Sequence, residues 1–212
     1  LSLAPFVAIS CLGALLGVGL ATWRQSSLVG LSIMCLVPSL VATAGLMMIK
    51  VQADANPFIH DITTDPNNPP QIVAAANEPR ANPVTYTLDE PVPNSEHGLT
   101  LYAAQQAAFP DIRTITLPTN ISVAQTQVAA ALEAMELKLI ASGPVDGDIN
   151  SFQFEATDQS TWFGFIDDVV VRIEAISNTE SRIDIRSKSR VGISDLGVNG
   201  KRVLGLIERL SP

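Results

Sequence analysis

Two long apolar runs near the start of the chain constrain its fold more than any other feature. The first, LAPFVAISCLGALLGVGLATW, covers residues 3–23, and the second, LVGLSIMCLVPSLVATAGLMMI, covers residues 28–49. At 1.5 Å of helical rise per residue, each run reaches roughly 30 Å, which is the thickness of the hydrocarbon core of a bilayer. Between them lies only the short segment RQSS, with the one charged residue Arg24. The sequence therefore predicts a transmembrane helical hairpin over residues 1–50.

A signal peptide and a lipoprotein site each account for the first run less well than a membrane span does. A cleaved signal peptide is usually shorter and begins with a basic segment, whereas this run leads almost directly into a second one. A lipoprotein site at Cys11 is suggested by the serine before it, but the apolar run continues well beyond that position. Cys11 and Cys35 both lie in the apolar runs, so the polar part of the chain is predicted to have neither a disulfide framework nor a cysteine-based zinc site.

Small residues recur along one face of the first predicted helix, at Gly13, Gly17 and Ala21. Such a face allows two helix backbones to approach closely in lipid, so it either packs the hairpin against itself or docks onto a larger membrane complex. The positive-inside rule places Arg24 in the cytoplasm and both ends of the hairpin outside it. A periplasmic domain on a bacterial inner membrane is therefore expected rather than a cytoplasmic one.

The remainder of the chain, from Lys50 onward, is polar and acidic. It carries all 21 acidic residues and 12 of the 13 basic residues, so its net charge is −9, and Arg24 brings the whole chain to −8. An acidic surface repels phosphate backbones, and nucleic acid is accordingly excluded as a partner.

Residues 51–98 are rich in Pro, Asn and Asp and show little periodicity, which is typical of turns and extended chain. We expect this segment to form a strap that lies over the domain or a partner rather than a free linker. His60, Asp61 and Asp65 contain metal-ligand atoms, but turn chemistry accounts for them more simply, and no metal or other cofactor is predicted. The apolar side chains available to anchor the strap are Phe58, Ile59, Ile62, Ile72, Val73 and Tyr86.

Residues 99–212 are predicted to form an α+β domain. LYAAQQAAFPDI indicates a short helix, and Ser122 with Gln125 forms a capping-box pattern that predicts the start of a second helix. RTITLP alternates and reads as a short strand between these two helices. The strands predicted after them are LKLIAS, SFQFEAT, FIDDVVVRIEAI and SRIDIRSKSR, and NGKRVLGLIERL reads as a final helix. Because no helices lie between the last three strands, we expect an antiparallel meander with helices covering one face.

The last predicted strand, RIDIRSKSRV, has an unusual polar alternation. Five charged residues at every second position from Arg182 to Arg190 project to one side, and Ile183, Ile185 and the two serines project to the other. The charged row is interpreted as a solvated face, with a groove for an anionic group such as a lipid head group as the alternative. Gly192 and Gly197 indicate a turn after this strand, and Asp195 or Asn199 is expected to cap the last helix.

Four ordered motifs, HDITTDPNNPP, AFPDI, WFGFIDDVVVRI and IDIRSKSRVGISDLGVNGKRV, resemble the domain of unknown function 1499 family over residues 60–210. Members of that family occur in bacteria and photosynthetic eukaryotes, and several carry N-terminal membrane spans. The resemblance implies a fold and a surface but no reaction.

Positions that recur in that family suggest one candidate cluster for interaction or structure. Within it, Asp168 is expected to pair with Arg186 or Arg190. Asp167 and Asp168 cannot form an acid/base pair, because adjacent strand residues point to opposite faces. The cluster comprises Trp162, Asp167, Asp168, Arg186, Ser189, Arg190, Asp195 and Asn199.

Three functional hypotheses follow from these patterns. The first is a membrane-anchored accessory or assembly subunit that binds a larger membrane protein complex, with no catalysis, because no phosphate loop, GxSxG, HExxH or CxxC motif is present. The second is a small-ligand or lipid-binding module that uses the region of Trp162 and Arg186 as a pocket. The third is a hydrolase that uses Asp and Ser without histidine, for which Asp195 is the residue to test.

Overall fold

The chain divides into two compact units, Leu1–Ala55 and Asn56–Pro212. The computed structural model describes residues 13, 16, 28–93, 95, 98–161 and 163–211. Most of the first predicted span therefore lies outside the described residues, including Gly17 and Ala21. Residues 13 and 16 are helical, and Gly13 is exposed.

The second apolar run forms helix α1, Leu28–Ala55. Its segment Leu36–Ala55 is long and apolar enough to cross a membrane, and it is the one such segment in the described part of the chain. The predicted helix over this run is confirmed. The predicted hairpin partner, residues 3–23, falls almost wholly outside the description.

The second unit has the α+β architecture that the sequence predicts. Of the predicted strap, residues 51–98, the first five residues belong to helix α1, and residues 56–98 lie within this unit. Its elements in chain order are β1 (Asp61–Thr63), α2 (Leu101–Ala108), β2 (Ile115–Leu117), α3 (Ile121–Ala134), β3 (Lys138–Val145), β4 (Asp148–Gln159), β5 (Ile166–Ser177), β6 (Glu180–Ser189) and α4 (Val198–Leu210).

All six strands form one antiparallel sheet in the order β1–β6–β5–β4–β3, with β2 also paired to β6. The meander from β3 to β6 confirms the predicted topology. In its register Asp168 lies opposite Lys188, and Asp167 lies opposite Ser189. β1 then continues the sheet beyond β6 and places Asp61 opposite the same Lys188.

One face of the sheet packs against the helices. Because side chains alternate along a strand, Val169, Val171 and Ile173 on β5 reach the same side as Ile183 and Ile185 on β6. These residues form one buried cluster with apolar residues of the helices, namely Leu101, Val128, Leu132, Val203 and Leu206. At about 25 cal/mol per Å² of apolar surface removed from water, this cluster is the main source of stability of the unit.

Helix α3 begins earlier than the capping-box pattern predicts. Asn120 is the N-cap, and its side chain accepts a hydrogen bond from the backbone N–H of Val123 at 3.0 Å. Asn satisfies an N-terminal N–H as well as Ser does, and it stands where the extended backbone turns into the helix. The prediction that Ser122 and Gln125 open this helix is therefore wrong, since Ser122 already lies inside its first turn.

β3 forms one edge of the described sheet. It is interrupted by a register shift between Leu139 and Ala141, and it carries Pro144, which has no N–H to offer a further strand. Lys138 stands at its start. Bulges, prolines and charges are the usual means of preventing unwanted strand addition at an edge.

Candidate functional site: two buried polar clusters

The charged row on β6 does not face solvent. Arg186 is 0% exposed and Lys188 is 1% exposed, because residues 64–86 cross this face of the sheet and cover it. The interpretation of the row as a solvated face is therefore wrong. The alternation from Arg182 to Arg190 is real, but the row faces a layer of chain rather than water.

Asp61 lies at the centre of the covered face. Its carboxylate accepts two hydrogen bonds from Arg186, from Nε at 2.9 Å and Nη2 at 2.8 Å, and a third from Lys188 Nζ at 2.6 Å. Burial by itself would raise the pKa of Asp61, but the two cations outweigh it and hold that pKa below the usual range. The forked contact with Arg186 fixes the geometry as well as the charge.

Asp168 provides a second fixed point on the same face. It accepts from Arg190 Nε at 2.9 Å and Nη2 at 2.8 Å, so of the two expected partners Arg190 is the one it contacts. Arg80, which comes from the strap, donates to the other carboxylate oxygen at 2.8 Å. Through Arg80 and Arg190, Asp168 on β5 thus links the strap to the end of β6.

Asp184 and Asp65 extend the ionic pairing towards the other end of β6. Arg172 Nη2 donates to Asp184 at 3.0 Å, and the Thr64 hydroxyl donates to the same carboxylate at 3.2 Å. Asp65 is paired with Arg182. We call this network of buried and partly buried charges the ionic layer; it comprises Asp61, Asp65, Arg80, Asp168, Arg172, Arg182, Asp184, Arg186, Lys188 and Arg190.

Glu155 anchors the strap directly to the sheet. Its carboxylate, which is 5% exposed, accepts from the backbone N–H groups of Val73, Ala74 and Ala75 at distances from 2.9 to 3.4 Å. Beside this contact, Ile72 and Ala75 pack on Val170. Sequence reasoning missed Glu155. In the strand FQFEAT it is adjacent to Phe154 and so points to the opposite face of the sheet, away from the apolar core.

A second polar cluster lies on the helix-covered face. Asn199 Oδ1 accepts from the Ser187 hydroxyl and from Arg202 Nη1, each at 2.6 Å, and Asn199 Nδ2 donates to the Ser189 hydroxyl at 2.9 Å. Arg202 Nη2 also donates to Asp167 at 2.9 Å. Because β6 and α4 supply opposite sides of this cluster, it fixes the last helix against the sheet.

Gly197 is the N-cap residue of the last helix, and Asp195, one of the two residues that the sequence predicts as a cap, satisfies N–H groups at this end with its side chain. Asp195 accepts from the backbone N–H groups of Gly197 and Asn199 at 2.8 Å each, whereas Asn199 itself lies inside the helix. Burial raises the pKa of Asp195, and these two hydrogen bonds oppose that shift only in part. Gly197 has φ +82°, a conformation that glycine adopts without strain.

The sheet separates the predicted interaction cluster into two groups. Asp168, Arg186 and Arg190 belong to the ionic layer, while Asp167, Ser189 and Asn199 belong to the helix-side cluster. The prediction that Asp167 and Asp168 point to opposite faces is confirmed, since Asp167 contacts Arg202 and Asp168 contacts Arg190. Trp162 lies outside the described residues.

These arrangements are suited to structural roles. The hydroxyls of Ser187 and Ser189 are held by Asn199, and the carboxylates of Asp61 and Asp168 are held by cations. Over the described ranges, there is no group of three or more His, Cys, Asp or Glu residues placed to hold a metal ion. Two of the residues considered as metal ligands, Asp61 and Asp65, instead form ion pairs with Arg186 and Arg182.

The open cavities of the described unit include two that are of comparable size and lie in different places. One, of about 430 Å³, lies beside the strap anchor and is lined by Gln71, Val73, Gly143, Glu155 and Arg172 among others. The other, of about 470 Å³, lies between α3 and the end of α4. Neither is lined by Arg186.

A family model described as "Protein of unknown function (DUF1499)" matches residues 61–210. The match begins at β1 and ends at the last residue of α4, so it includes the strap together with the sheet. No curated protein matches the chain.

Proposed function

The chain belongs to the DUF1499 family, and from this premise we propose that it is a membrane-anchored accessory subunit that binds a larger membrane protein complex. In this proposal it performs no catalysis. The helix α1 anchors it, residues 3–23 complete a two-helix hairpin, and the α+β unit offers a rigid surface to the partner. The Arg24 loop is cytoplasmic and the α+β unit periplasmic, on a bacterial inner membrane.

The ionic layer is the observation that carries this proposal. Its charged side chains are paired within the sheet, as with Arg186 and Asp61 at 2.8 Å, and between the strap and the sheet, as with Arg80 and Asp168 at 2.8 Å. Most of them are withdrawn from solvent. A catalytic site needs a reactive group that a substrate can reach, whereas a docking subunit needs a stable shape. Paired buried charges fit the stable shape of a docking subunit better than they fit a catalytic site.

Co-purification from the native membrane tests the proposal. The full chain, tagged at its C-terminus, is extracted in mild detergent, and its associated proteins are identified and quantified by mass spectrometry. We expect one set of membrane proteins in a fixed ratio to the chain, and we expect the same tag on an unrelated single-span protein not to retain them. Recovery of the chain as a free monomer from its native membrane would overturn the proposal.

A small-ligand or lipid-binding module is the second candidate, and the cavity beside Glu155 favours it. Arg172 lines that cavity, and its Nε is buried without a hydrogen bond, although the Glu174 carboxylate lies 3.5 Å away. A polar or anionic group in the cavity would satisfy that donor. Native mass spectrometry of the purified chain would show a bound molecule that is lost in Arg172→Lys but kept in the matched variant Arg113→Lys at an exposed position.

A further inference from the structure

Two neighbouring loops of the second unit expose apolar side chains at one end of the sheet. Phe163 and Phe165 lie in the β4–β5 loop, where their rings stack at 5.6 Å between centroids. Val191 and Ile193 lie in the β6–α4 loop, and Val198 begins α4. We call these the apolar rim; their exposed fractions are Phe163 70%, Phe165 55%, Val191 38%, Ile193 60% and Val198 46%.

The two loops are adjacent rather than scattered. The backbone N–H of Arg190 donates to the carbonyl of Ile166 at 3.0 Å, so Phe165 and Val191 continue the same antiparallel pair beyond its last rung. A contiguous group of exposed aromatic and branched side chains is unfavourable in water and marks a surface that contacts something apolar.

The chain begins the second unit at the same end of the sheet. Asn56 lies so close to Gly197 that a Cβ atom there would stand 2.1 Å from Asn56 Oδ1. The backbone N–H of Asp195 donates to the carbonyl of Ile59 at 3.2 Å, and Phe58 and Ile193 line one small cavity. The residue before Asn56 is the last residue of α1.

We propose that the apolar rim inserts into the interfacial region of the bilayer in which α1 is anchored. The apolar run ends at Ile49, and the seven residues from there to Asn56 add at most about 10 Å of helix. The polar head-group region of one leaflet is roughly 5–7 Å thick. The chain therefore keeps the end of the unit that carries the rim close enough to the bilayer to reach the lipid. This holds for any orientation of the rest of the unit.

The charges near the rim favour contact with neutral lipid. Arg190 is paired with Asp168, and Arg202 is paired with Asp167 and Asp158, so these cations are not available to anionic head groups. Aromatic and branched side chains gain free energy by burial at an interface without help from charge. We therefore expect the contact to form on phosphatidylcholine and to be insensitive to salt.

The inference rests on the membrane anchoring in the proposed function but not on any partner complex. The test uses the full chain with Cys11→Ser and Cys35→Ser, reconstituted alone into phosphatidylcholine nanodiscs. A single cysteine replaces Ile193 or, in a second variant, Phe165, and it carries an environment-sensitive nitrobenzoxadiazole dye. The matched control is Ile149→Cys, since Ile149 is 84% exposed and stands near the start of β4, about 33 Å along the strand from the rim.

We expect nitroxide-labelled phosphatidylcholine to quench the dye at positions 193 and 165 several-fold more than at position 149. Aqueous iodide should show the reverse order. Equal quenching by lipid at all three positions, in a chain that has entered the nanodisc, would overturn this inference alone. A chain that does not enter the nanodisc would overturn the anchoring and hence the proposed function too. Shielding of position 193 from both quenchers only when the native complex is added would assign the rim to a protein partner and overturn the lipid contact.

Discussion

Asp61 is the residue on which the ionic layer depends most, because Arg186 and Lys188 both donate to it. Each of the three residues is at most 1% exposed, so none can turn to water if a partner is lost. A buried charge pair adds little net stability compared with an apolar pair of the same volume, but removal of one member leaves the other charged and unsolvated. The arrangement is therefore intolerant of single changes.

Asp61→Asn should lower the free energy of unfolding by about 3–5 kcal/mol, since it leaves two buried cations without their carboxylate. Urea titration of the far-ultraviolet circular dichroism signal in mild detergent measures the change. Asp89→Asn, at an exposed position, is the control and should alter stability by no more than about 0.5 kcal/mol. Equal effects of the two variants would show that the Asp61 pairs do not hold the fold.

His60 should make the fold sensitive to mild acid. Burial and the nearby Lys188 lower the pKa of His60, against the smaller opposing effects of Asp61 and Glu90. The unfolded chain binds a proton near its ordinary pKa of 6.5, which the folded state accepts only at lower pH. The free energy of unfolding should therefore fall as the pH falls through that window, and His60→Gln should show a shallower decline between about pH 7 and about pH 5. Parallel pH profiles of wild type and variant would contradict this.

Which residues were predictable depended on whether their partners lay close in sequence. Asp195 was one of the two residues expected to cap α4, and its side chain accepts from the N–H of Asn199 in the first turn. The meander indicated Arg186 or Arg190 as the partner of Asp168, and in the structure Asp168 contacts Arg190. Arg80 and Glu155 were missed because their contacts join the strap to strands about eighty residues away, and no local pattern encodes such a contact.

At the scale of the elements, α4 shows how closely a helix can be fitted to its neighbours. Gly200 lies against the ring of Phe109, and a Cβ at Gly200 would stand 2.4 Å from its Cζ atom. Gly205, one and a half turns later, would place a Cβ 3.4 Å from the flexible end of Met135. The Phe109 ring therefore leaves no room for a side chain at Gly200, whereas the contact at Gly205 is with a side chain that can move.

Gly200→Ala should destabilise the unit by about 1–3 kcal/mol, because a rigid aromatic ring has to move within a packed core. Gly205→Ala is the matched variant in the same helix, and it should be neutral or stabilising by up to about 1 kcal/mol, since Ala is a better helix former and Met135 can adjust. Melting temperatures of both variants in the same detergent check the pair. A similar loss in both would mean that helix packing at Gly200 is looser than the contact distance indicates.

The elements themselves were predictable where one face is apolar and the other polar. β3 to β6 and the helices α2, α3 and α4 follow the expected periods, and β2 lies within the alternating segment RTITLP, whereas β1, with three residues, is too short to show a period. The solvent-facing interpretation of β6 was wrong because alternation reveals that a strand has two different faces but does not reveal what covers each face. The strap supplies that cover.

At the scale of the whole molecule, the strap is part of the folded unit rather than a linker to it. The matched family region begins at β1, and the buried residues Ile59, Ile62 and Ile72 all precede α2. The chain divides into its two compact units between Ala55 and Asn56. A cut at this position should therefore disturb the fold less than a cut within the strap.

Cleavage at two engineered sites tests this division. A protease site inserted between Ala55 and Asn56 should allow residues 56–212 to be released with a melting temperature close to that of the intact chain, because the core of this unit is drawn from its own residues. The same site inserted between Glu78 and Pro79, which are both exposed, should instead lower the melting temperature. A cut there frees the ends of two segments that Glu155, and Asp168 through Arg80, hold on the sheet. Without the covalent connection, more chain entropy has to be lost when these segments dock, so folding becomes less favourable. Equal stability after either cut would contradict this, because it would show that both segments stay docked on the sheet without covalent continuity between them.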